Sequence, residues 1–323
     1  MAAYQNVPVL VTGGVGFIGS HLVRGLLAAG ARVRVLDNLS TGSLENIRDV
    51  GKDIDFHQAD ITNQADCLTA AAGCQVAFHL AALGSVPGSV VNPVGYNTAN
   101  VTGTINILDA CREAGIRRVV YSASSAAYGE SPTLPKREDM PPAPKSPYAV
   151  GKLTGEYYAR VYALVYSLST ISLRYFNVFG PRQNPNSQYA AVIPAFITAV
   201  LRGQAPKIYG DGGQTRDFCH VSNVVRANML AGITETPLAG EVVNIACGQN
   251  ISLNAMLEKI ITLLGKRVHP QYLPPRAGDV RDSLADITRA KQILGYEPVT
   301  YFDEGLAQTV AWYAQEQNPR PVK

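Results

Sequence analysis

The sequence predicts an α/β fold, in which a doubly wound parallel sheet is followed by a smaller α/β lobe. Short apolar runs alternate with amphipathic stretches through the first half of the 323-residue chain. This order is typical of a parallel sheet covered by helices on both faces. The runs are apolar at nearly every position, as burial on both faces requires. After Gly180 the alternation loosens into segments rich in glycine and proline.

The elements of the first half follow from these runs in chain order. A buried strand leads into a glycine-rich turn, a helix follows the turn, and strands and helices then alternate as far as residue 175. We predict strands at residues 7–12, 32–36, 55–58, 76–80, 118–122 and 169–175, and helices at 19–29, 93–114 and 148–166.

The second half is predicted to consist of helices joined by short strands and loops. We expect helices at residues 191–202, 221–233, 253–264 and 301–316, and a strand at 242–245 that returns to the large sheet. The chain is therefore divided into residues 1–180, completed by returns from about 221–248, and a smaller lobe at 181–323.

Composition and charge exclude several classes of protein. The chain is 46% hydrophobic and 16% charged, with a net charge of +3 that forms no block, so no nucleic-acid-binding face is expected. The five cysteines fit neither a zinc pattern nor a disulfide pattern. No signal peptide is visible, and no apolar run reaches the ~18 residues of a membrane span. We expect a cytoplasmic protein with no metal and no membrane partner.

A glycine fingerprint predicts a dinucleotide site of the Rossmann type. Gly13, Gly16 and Gly19 stand between the first strand and the first helix, with Phe17 and Ile18 inside the turn. The glycines permit a tight turn, close approach of a pyrophosphate, and close packing of helix on strand. The helix N-terminus then faces the phosphates. Asp37 ends the second strand, near the offset of a ribose-binding carboxylate, which favours NAD over NADP.

A tyrosine and a lysine four residues apart predict proton-transfer chemistry. Tyr148 and Lys152 would lie on one helix face, one turn apart. A tyrosine has an ordinary pKa near ~10, and we expect an ammonium group and the positive nicotinamide ring to lower it. Ser124 or Ser125, after the fifth strand, could relay the proton at the carboxyl edge of the sheet. Small hydroxyl residues after a strand also close turns.

These motifs, with several others in order, carry a resemblance to a known family. LDNLSTG spans 36–42, HLAALGSVP 79–87, LRYFNVFGPRQ 173–183, GDGGQTRDFCHV 210–221 and RAGDVRDSLAD 276–286. The chain resembles the extended short-chain dehydrogenases/reductases and, among them, the UDP-hexose 4-epimerases, an isomerase family. It is most similar to the bacterial UDP-N-acetylglucosamine 4-epimerases. The resemblance runs from about residue 7 to about residue 297.

The resemblance implies bound NAD and a set of residues that hold it. The residues that would hold the adenosine ribose are Asp37, Asn38, Ser40, Thr41 and Gly42. Asp60 and Ile61 would hold the adenine, and Leu80, Ala81 and Ala82 would line the cofactor channel. Lys152 would bind the nicotinamide ribose. The remaining implied cofactor residues are Asn100, Ser122, Tyr148 and Tyr175.

The resemblance also implies a UDP-sugar site. Ser124 and Tyr148 would handle the proton, and arginines would clamp the diphosphate because a guanidinium binds phosphate oxygens in pairs. The implied substrate residues are Ser85, Ser124, Ser125, Tyr148, Asn177, Ala191, Val192, Tyr209, Arg216, Arg276, Asp279 and Ser283. Ser283 stands where epimerases that reject N-acetylated sugars have tyrosine. Gly88 and Ala126 depart from the N-acetyl subgroup, which has arginine and a hydroxyl residue there.

Alternatives to a UDP-N-acetylhexosamine epimerase remain open. UDP-glucose and UDP-galactose could also be substrates, because an enlarged pocket rejects a smaller sugar poorly. Epimerisation of UDP-glucuronate needs the same core chemistry. A dehydratase would need an Asp-Glu pair where Ser125 and Ala126 stand, and a decarboxylase a group for the C6 carboxylate. A regulatory protein on an inactive dehydrogenase frame is the non-enzyme alternative. The resemblance implies a homodimer paired through residues 93–114 and 148–166.

Overall fold

A computed structural model describes residues 2–184, 191–275 and 281–317. In the first half, parallel strands alternate with helices. The strands are β1 (Pro8–Thr12), β2 (Arg32–Asp37), β3 (Ile54–Gln58), β4 (Val76–His79), β5 (Arg118–Ser124) and β6 (Thr170–Tyr175). The helices are α1 (Phe17–Ala28), α2 (Gln64–Ala71), α3 (Val86–Val91), α4 (Pro93–Asn97), α5 (Gly103–Glu113) and α6 (Pro147–Tyr166).

The second half adds short strands and longer helices. In chain order these are β7 (Val178–Phe179), α7 (Val192–Leu201), β8 (Lys207–Tyr209), β9 (Thr215–Arg216), β10 (Cys219–His220), α8 (Val221–Ile233), β11 (Glu241–Ile245), β12 (Ile251–Ser252), α9 (Leu253–Leu264), β13 (Gln271–Leu273), α10 (Thr288–Leu294) and α11 (Phe302–Gln317). Within the described ranges, no helix has the length and apolar character that a membrane span requires.

The main sheet has seven strands in the order β11-β6-β5-β4-β1-β2-β3, and every pair is parallel. One face is covered by α1 and α8, and the other by α2, α5 and α6. The fold class predicted from the sequence is therefore confirmed. A separate core forms between α7, α9 and α11 in the C-terminal part.

One predicted helix differs in the structure. Instead of a regular helix over residues 93–114, a π-turn (Thr98–Thr102) separates α4 from α5. Such turns are frequent at functional sites. Here the Asn100 side chain accepts from Leu83 N at 2.8 Å and donates to Leu83 O at 3.0 Å. Asn100, which lies within the π-turn, thus binds the backbone of the loop that follows β4.

Candidate active site

A cleft of about 680 Å³ opens at the carboxyl ends of β1 and β4, where the strand order reverses. This is the place where ligands bind in open α/β sheets. Most of the predicted cofactor residues line it: Gly13, Gly16, Phe17, Ile18, Gly19, Asp37, Asn38, Ser40, Thr41, Asp60, Ile61, Leu80, Ala81, Ala82, Ser122, Tyr148, Lys152 and Tyr175.

The glycine turn leaves room that side chains would fill. Gly13 has φ +71°, and a Cβ there would lie 2.7 Å from the backbone nitrogen of Ala81. A Cβ on Gly19 would lie 2.1 Å from the carbonyl oxygen of Gly13, so α1 starts directly on the turn. Gly16 is the N-cap residue of α1. The free N–H groups of the helix therefore open into the cleft, an arrangement that fits a pyrophosphate.

Asp37 lies at the end of β2, buried beside the glycine turn. Its carboxylate oxygens accept from Val15 N at 3.2 Å and from Leu39 N at 2.9 Å. Burial raises the pKa of Asp37, and these two donors oppose the rise. Asn38 continues the wall and donates to the Asp60 carboxylate at 2.8 Å. The cleft therefore offers carboxylate oxygens to the hydroxyls of a ribose at one end, which fits NAD.

Two predicted cofactor residues do not line the cleft. A Cβ on Gly42 would lie 2.7 Å from Val15 Cγ2, so Gly42 packs behind the glycine turn. Asn100 is buried and binds the loop at Leu83. Both residues therefore contact segments that line or adjoin the cleft, and their predicted contacts with the cofactor stay a prediction.

Lys152 lies on α6 and faces β5. Its Nζ donates to the carbonyl oxygen of Ser122 at 2.7 Å and stands 5.1 Å from the centroid of the Tyr121 ring. Burial lowers the pKa of Lys152 to about 8, and the charge of Glu156 opposes this. Lys152 also lines the cleft. The ammonium group therefore keeps donors available for a ligand next to Tyr148.

Tyr148 begins the first turn of the same helix, which Ser146 caps by accepting from Ala149 N at 3.1 Å. Burial raises the pKa of Tyr148, the hydroxyl of Ser124 lowers it through a hydrogen bond, and the nearby Tyr96 raises it. The protein groups alone therefore do not make this phenol more acidic. The predicted lowering of its pKa would need a positive charge beside the phenol, and the prediction named two sources for it, the Lys152 ammonium and an oxidised nicotinamide.

Among the described residues, Tyr148 is the predicted substrate residue that lines the cleft. Ser85 caps α3 by accepting from Gly88 N at 3.0 Å, and Ser124 caps the 3-10 turn Ser125–Tyr128. Ala191 and Val192 begin α7, and Tyr209 ends β8. Arg276 and Asp279 lie outside the described residues.

Three further residues predicted to bind substrate make hydrogen bonds within or beside the short strands. Asn177 Nδ2 donates to the carbonyl oxygen of Asp217 at 3.1 Å. Arg216 Nη1 donates to the carbonyl oxygen of Arg281 at 3.0 Å. Ser283 N donates to the carbonyl oxygen of Thr215 at 3.2 Å. The structure therefore brings the 281–283 segment and the 215–217 segment together.

The sequence prediction missed part of the cleft wall. Several missed residues adjoin recognised motifs, and the others come from the helical segment around the π-turn. They are Leu36, Ala59, Thr62, Leu83, Gly84, Gly95, Thr98, Ala99 and Ala123. Proximity to a motif could have indicated the first kind. Tyr96, which affects the pKa of Tyr148, had no signal in the sequence.

Comparisons with known proteins agree with this geometry. Residues 9–246 match the NAD dependent epimerase/dehydratase family. The chain is 42% identical over 309 residues to a UDP-glucose 4-epimerase of Mycolicibacterium smegmatis (strain ATCC 700084 / mc(2)155), which covers 94% of this chain and 97% of that protein.

The fold of this chain is also similar to that of solved epimerase structures. A UDP-N-acetylglucosamine 4-epimerase from Methanobrevibacter ruminantium M1, in complex with UDP-N-acetylmuramic acid, superposes with a TM-score of 0.92 at 40% identity, covering 97% of this chain and 99% of that one. A UDP-glucose 4-epimerase from Thermotoga maritima, with UDP-glucose, gives a TM-score of 0.92 at 37% identity and covers 97% and 100%. This chain therefore belongs to the NAD dependent epimerase/dehydratase family, as an extended short-chain dehydrogenase/reductase of the UDP-hexose 4-epimerase group that uses NAD.

Proposed function

We propose that this chain inverts carbon 4 of UDP-linked hexoses, with UDP-N-acetylglucosamine and UDP-N-acetylgalactosamine as its main substrates and UDP-glucose and UDP-galactose as further ones. The observation that carries the proposal is that Tyr148 and Lys152 line the same cleft as the glycine turn and Asp37. A base for a sugar hydroxyl and a dinucleotide site therefore share one cavity. The similar proteins described above act on or bind UDP-sugars.

The proposed roles follow from the contacts in the cleft. Tyr148, as the phenolate, takes the proton of the sugar O4, and the Ser124 hydroxyl that binds its oxygen relays or holds that proton. Bound NAD would supply the hydride chemistry at C4, and the residues that line the cleft would hold it there. The Lys152 ammonium group lies in the same cleft as Tyr148 and would bind the nicotinamide ribose. The 4-keto sugar turns about its diphosphate linkage, and Tyr148 then returns the proton to O4.

The proposed preference for N-acetylated sugars rests on two positions. Ser283 leaves room where a tyrosine would exclude a 2-acetamido group, and Ser85 lies in the loop between β4 and α3. Gly88 admits no larger residue without movement, because a Cβ there would lie 2.5 Å from the Tyr96 hydroxyl. The subgroup's arginine at this position would therefore displace Tyr96. With that polar contact missing, we propose that the unsubstituted hexoses are also accepted.

A substrate panel tests this proposal. Purified protein, without added NAD, is given UDP-glucose, UDP-N-acetylglucosamine or UDP-glucuronate, and the products are separated by chromatography. We expect conversion of the first two and a higher kcat/KM for the N-acetylated sugar. Conversion of UDP-glucuronate alone would identify a glucuronate epimerase instead. No conversion of any UDP-hexose with NAD supplied would refute the proposal.

One pair of variants tests the role assigned to Ser283. Ser283→Tyr should remove most activity on UDP-N-acetylglucosamine and retain activity on UDP-glucose, because the added ring fills the space for the acetamido group. Ser283→Ala is the matched control, since it changes the hydroxyl without filling the space, and should retain both activities. Equal loss on both sugars in Ser283→Tyr would contradict the assignment.

We also propose a homodimer, which the resemblance implied through residues 93–114 and 148–166, and we place it on the outer faces of the helices at 86–97 and 147–166. Apolar side chains on this surface are exposed: Val90, Val91, Val94, Tyr157, Val161, Leu164 and Val165. Leu164 is 66% exposed and Val165 64% exposed, and a large apolar patch on a surface indicates an interface. The double variant Leu164→Glu/Val165→Glu should elute as a monomer, whereas the parent protein should elute as a dimer. A monomeric parent protein would refute this proposal.

We also propose that two parts of the chain bind different ligands. Residues 1–180, with the returns from about 221–248, bind NAD, and residues 181–323 bind the UDP-sugar. All five cysteines are free and buried, which suits the reducing conditions of the cytoplasm. Five thiols titrated in the unfolded protein without reductant would agree with that location, whereas fewer would contradict it.

A further inference from the structure

A buried ion pair joins the helix that carries Tyr148 to the sheet. Glu156 on α6 accepts from Arg174 on β6 at 2.9 and 2.7 Å, in a two-bond arrangement. Both side chains are buried, at 2% and 4% exposure. Burying two charges costs about as much free energy as the pair recovers, so such a pair contributes little net stability. A role other than stability is therefore worth testing.

The glutamate lies in line with the proposed catalytic residues. Tyr148, Lys152 and Glu156 follow one another at intervals of four residues on α6, which stacks them on one face of the helix. This face lies directly against β5. Tyr121 on β5 donates to the carbonyl oxygen of Lys152 at 3.2 Å, and a Cβ on Gly155 would lie 2.2 Å from the Tyr121 hydroxyl. The helix therefore packs closely on β5 at Gly155.

The arginine connects the same pair to the turn that follows β5. The guanidinium carbon of Arg174 stands 4.7 Å from the centroid of the Tyr128 ring. Tyr128 ends the 3-10 turn that Ser124 caps, and its hydroxyl donates to the Asn244 side chain at 2.7 Å. One nitrogen of Arg174, Nη1, has no hydrogen-bond partner among the described residues. The guanidinium is therefore held by Glu156 and by the ring of Tyr128.

We propose that the Glu156–Arg174 pair positions the proton-transfer group, with Glu156 keeping Lys152 in its ammonium form and Arg174 fixing the turn that begins at Ser124. Both are positioning residues, because each acts through another residue. The inference rests on the proposed function for the roles of Tyr148, Lys152 and Ser124. Without Glu156, which lies one helical turn from Lys152, the buried Arg174 charge would be left uncompensated.

Within the described ranges, the other groups around Lys152 supply no second negative charge. From β4, His79 is neutral, because burial lowers its pKa to about 3 and two threonines bind its ring. Burial raises the pKa of Tyr121, Tyr128 and Tyr175, so these phenols are uncharged near neutral pH. Tyr96 on α4 is a further phenol beside Tyr148. From α5, Asp109 and Arg112 pair with each other. Among the described residues, Glu156 is the anion whose charge raises the pKa of Lys152.

Glu156→Gln tests the proposal because it keeps the shape of the side chain and removes its charge. An opposite charge at close range changes a pKa by about one to three units. In the NAD-loaded protein, the alkaline limb of kcat should therefore move to lower pH by about one unit or more. The tyrosinate absorbance lost in Tyr148→Phe marks the Tyr148 ionisation. That ionisation should move to higher pH when Glu156→Gln is introduced, since Lys152 then loses its proton earlier.

Two controls separate charge from structure. Glu156→Asp retains the charge and should keep the alkaline limb of kcat near its original pH. Arg118→Gln removes another buried arginine, which binds Ser169 and the carbonyl oxygen of Ala231 at the opposite end of β5. It should lower stability without moving either pH readout. A folded Glu156→Gln protein with both readouts unmoved would overturn the proposal.

Two further results are informative. If Glu156→Gln does not fold, the double variant Glu156→Gln/Arg174→Gln removes both charges together, and it should move the tyrosinate readout in the same direction. An unmoved readout there would overturn the proposal. A shifted Tyr148 ionisation without conversion of any UDP-sugar would support the ion pair's role and refute the proposed function. Conversion of a UDP-sugar with both pH readouts unmoved would support the proposed function and refute the ion pair's role.

Discussion

The close approach of the glycine turn to the loop after β4 predicts a large effect of Gly13→Ala. Two costs add at this position. A Cβ at a positive φ costs about 1–2 kcal/mol by itself. The new Cβ would also lie 2.7 and 2.8 Å from the backbone nitrogen and Cα of Ala81, so the 80–82 segment must retreat. That movement strains the bonds from Leu80 N to Thr12 O (3.1 Å) and from Ala81 N to Thr12 Oγ1 (3.2 Å), each of about 1 kcal/mol.

The chain provides a matched control for this variant. Gly73 has φ +73°, and a Cβ there would have nothing within 4 Å. Gly73→Ala therefore carries the strain of the backbone without the close contact, and should cost about 1–2 kcal/mol. Gly13→Ala should cost about 3–4 kcal/mol, since the two hydrogen bonds add to the same strain.

Urea unfolding of the two variants and the parent protein measures these differences. The NAD content of the purified proteins is measured in parallel, because the retreating 80–82 segment forms part of the cleft wall. We expect Gly13→Ala to lose most of its NAD and Gly73→Ala to keep it. Equal free energies of unfolding for the two variants would refute the reasoning, since they would show that the contact at Ala81 relaxes at no cost.

Three other substitutions have definite expected outcomes. Tyr148→Phe should lower kcat about 10²–10⁴-fold while NAD remains bound, as measured by product separation and by the dinucleotide released on denaturation; unchanged turnover would contradict its role. Asp37→Ala should weaken NAD binding in equilibrium dialysis, because it removes the carboxylate at the end of β2; an unaltered Kd would contradict this. Asp217→Asn should cost about 2–4 kcal/mol in urea unfolding, because the Asp217 oxygens accept from three backbone N–H groups, including Cys247 N at 3.0 Å and Gly248 N at 3.1 Å, and an amide nitrogen cannot accept. A cost below about 1 kcal/mol would show that these donors find other acceptors.

Much of the fold could be predicted from the sequence because burial leaves a periodic pattern. The helices predicted at 221–233 and 253–264 agree with Val221–Ile233 and Leu253–Leu264. The helix at Gln64–Ala71 was missed, because it is short and has no continuous apolar stripe. It is held by packing against α5, which a local pattern does not show. The π-turn was also missed, since a shift in hydrogen-bonding register leaves the side-chain pattern almost unchanged.

The residues of the candidate site likewise include some that the sequence predicts and some that only the structure reveals. Residues within a motif, such as Asp37 and Leu80, were predicted to lie at the cleft and do lie there. Gly95 and Thr98 were missed because the π-turn, and not a motif, brings them to the cleft wall. Glu156 and Arg174 are 18 residues apart on different elements, so only the packing of α6 on β6 reveals that they form a pair.

The order of the strands limits how this chain can be divided. β11, which is more than 60 residues beyond β6 in sequence, forms the edge of the main sheet next to it, and α8 covers one face of the same sheet. A fragment ending near residue 180 would expose the hydrogen-bonding groups of β6 and leave an apolar face without its cover. Unprotected strand edges promote association between chains. Expression of the N-terminal part alone would therefore give aggregates, and functional dissection of this molecule requires point substitutions in the intact chain.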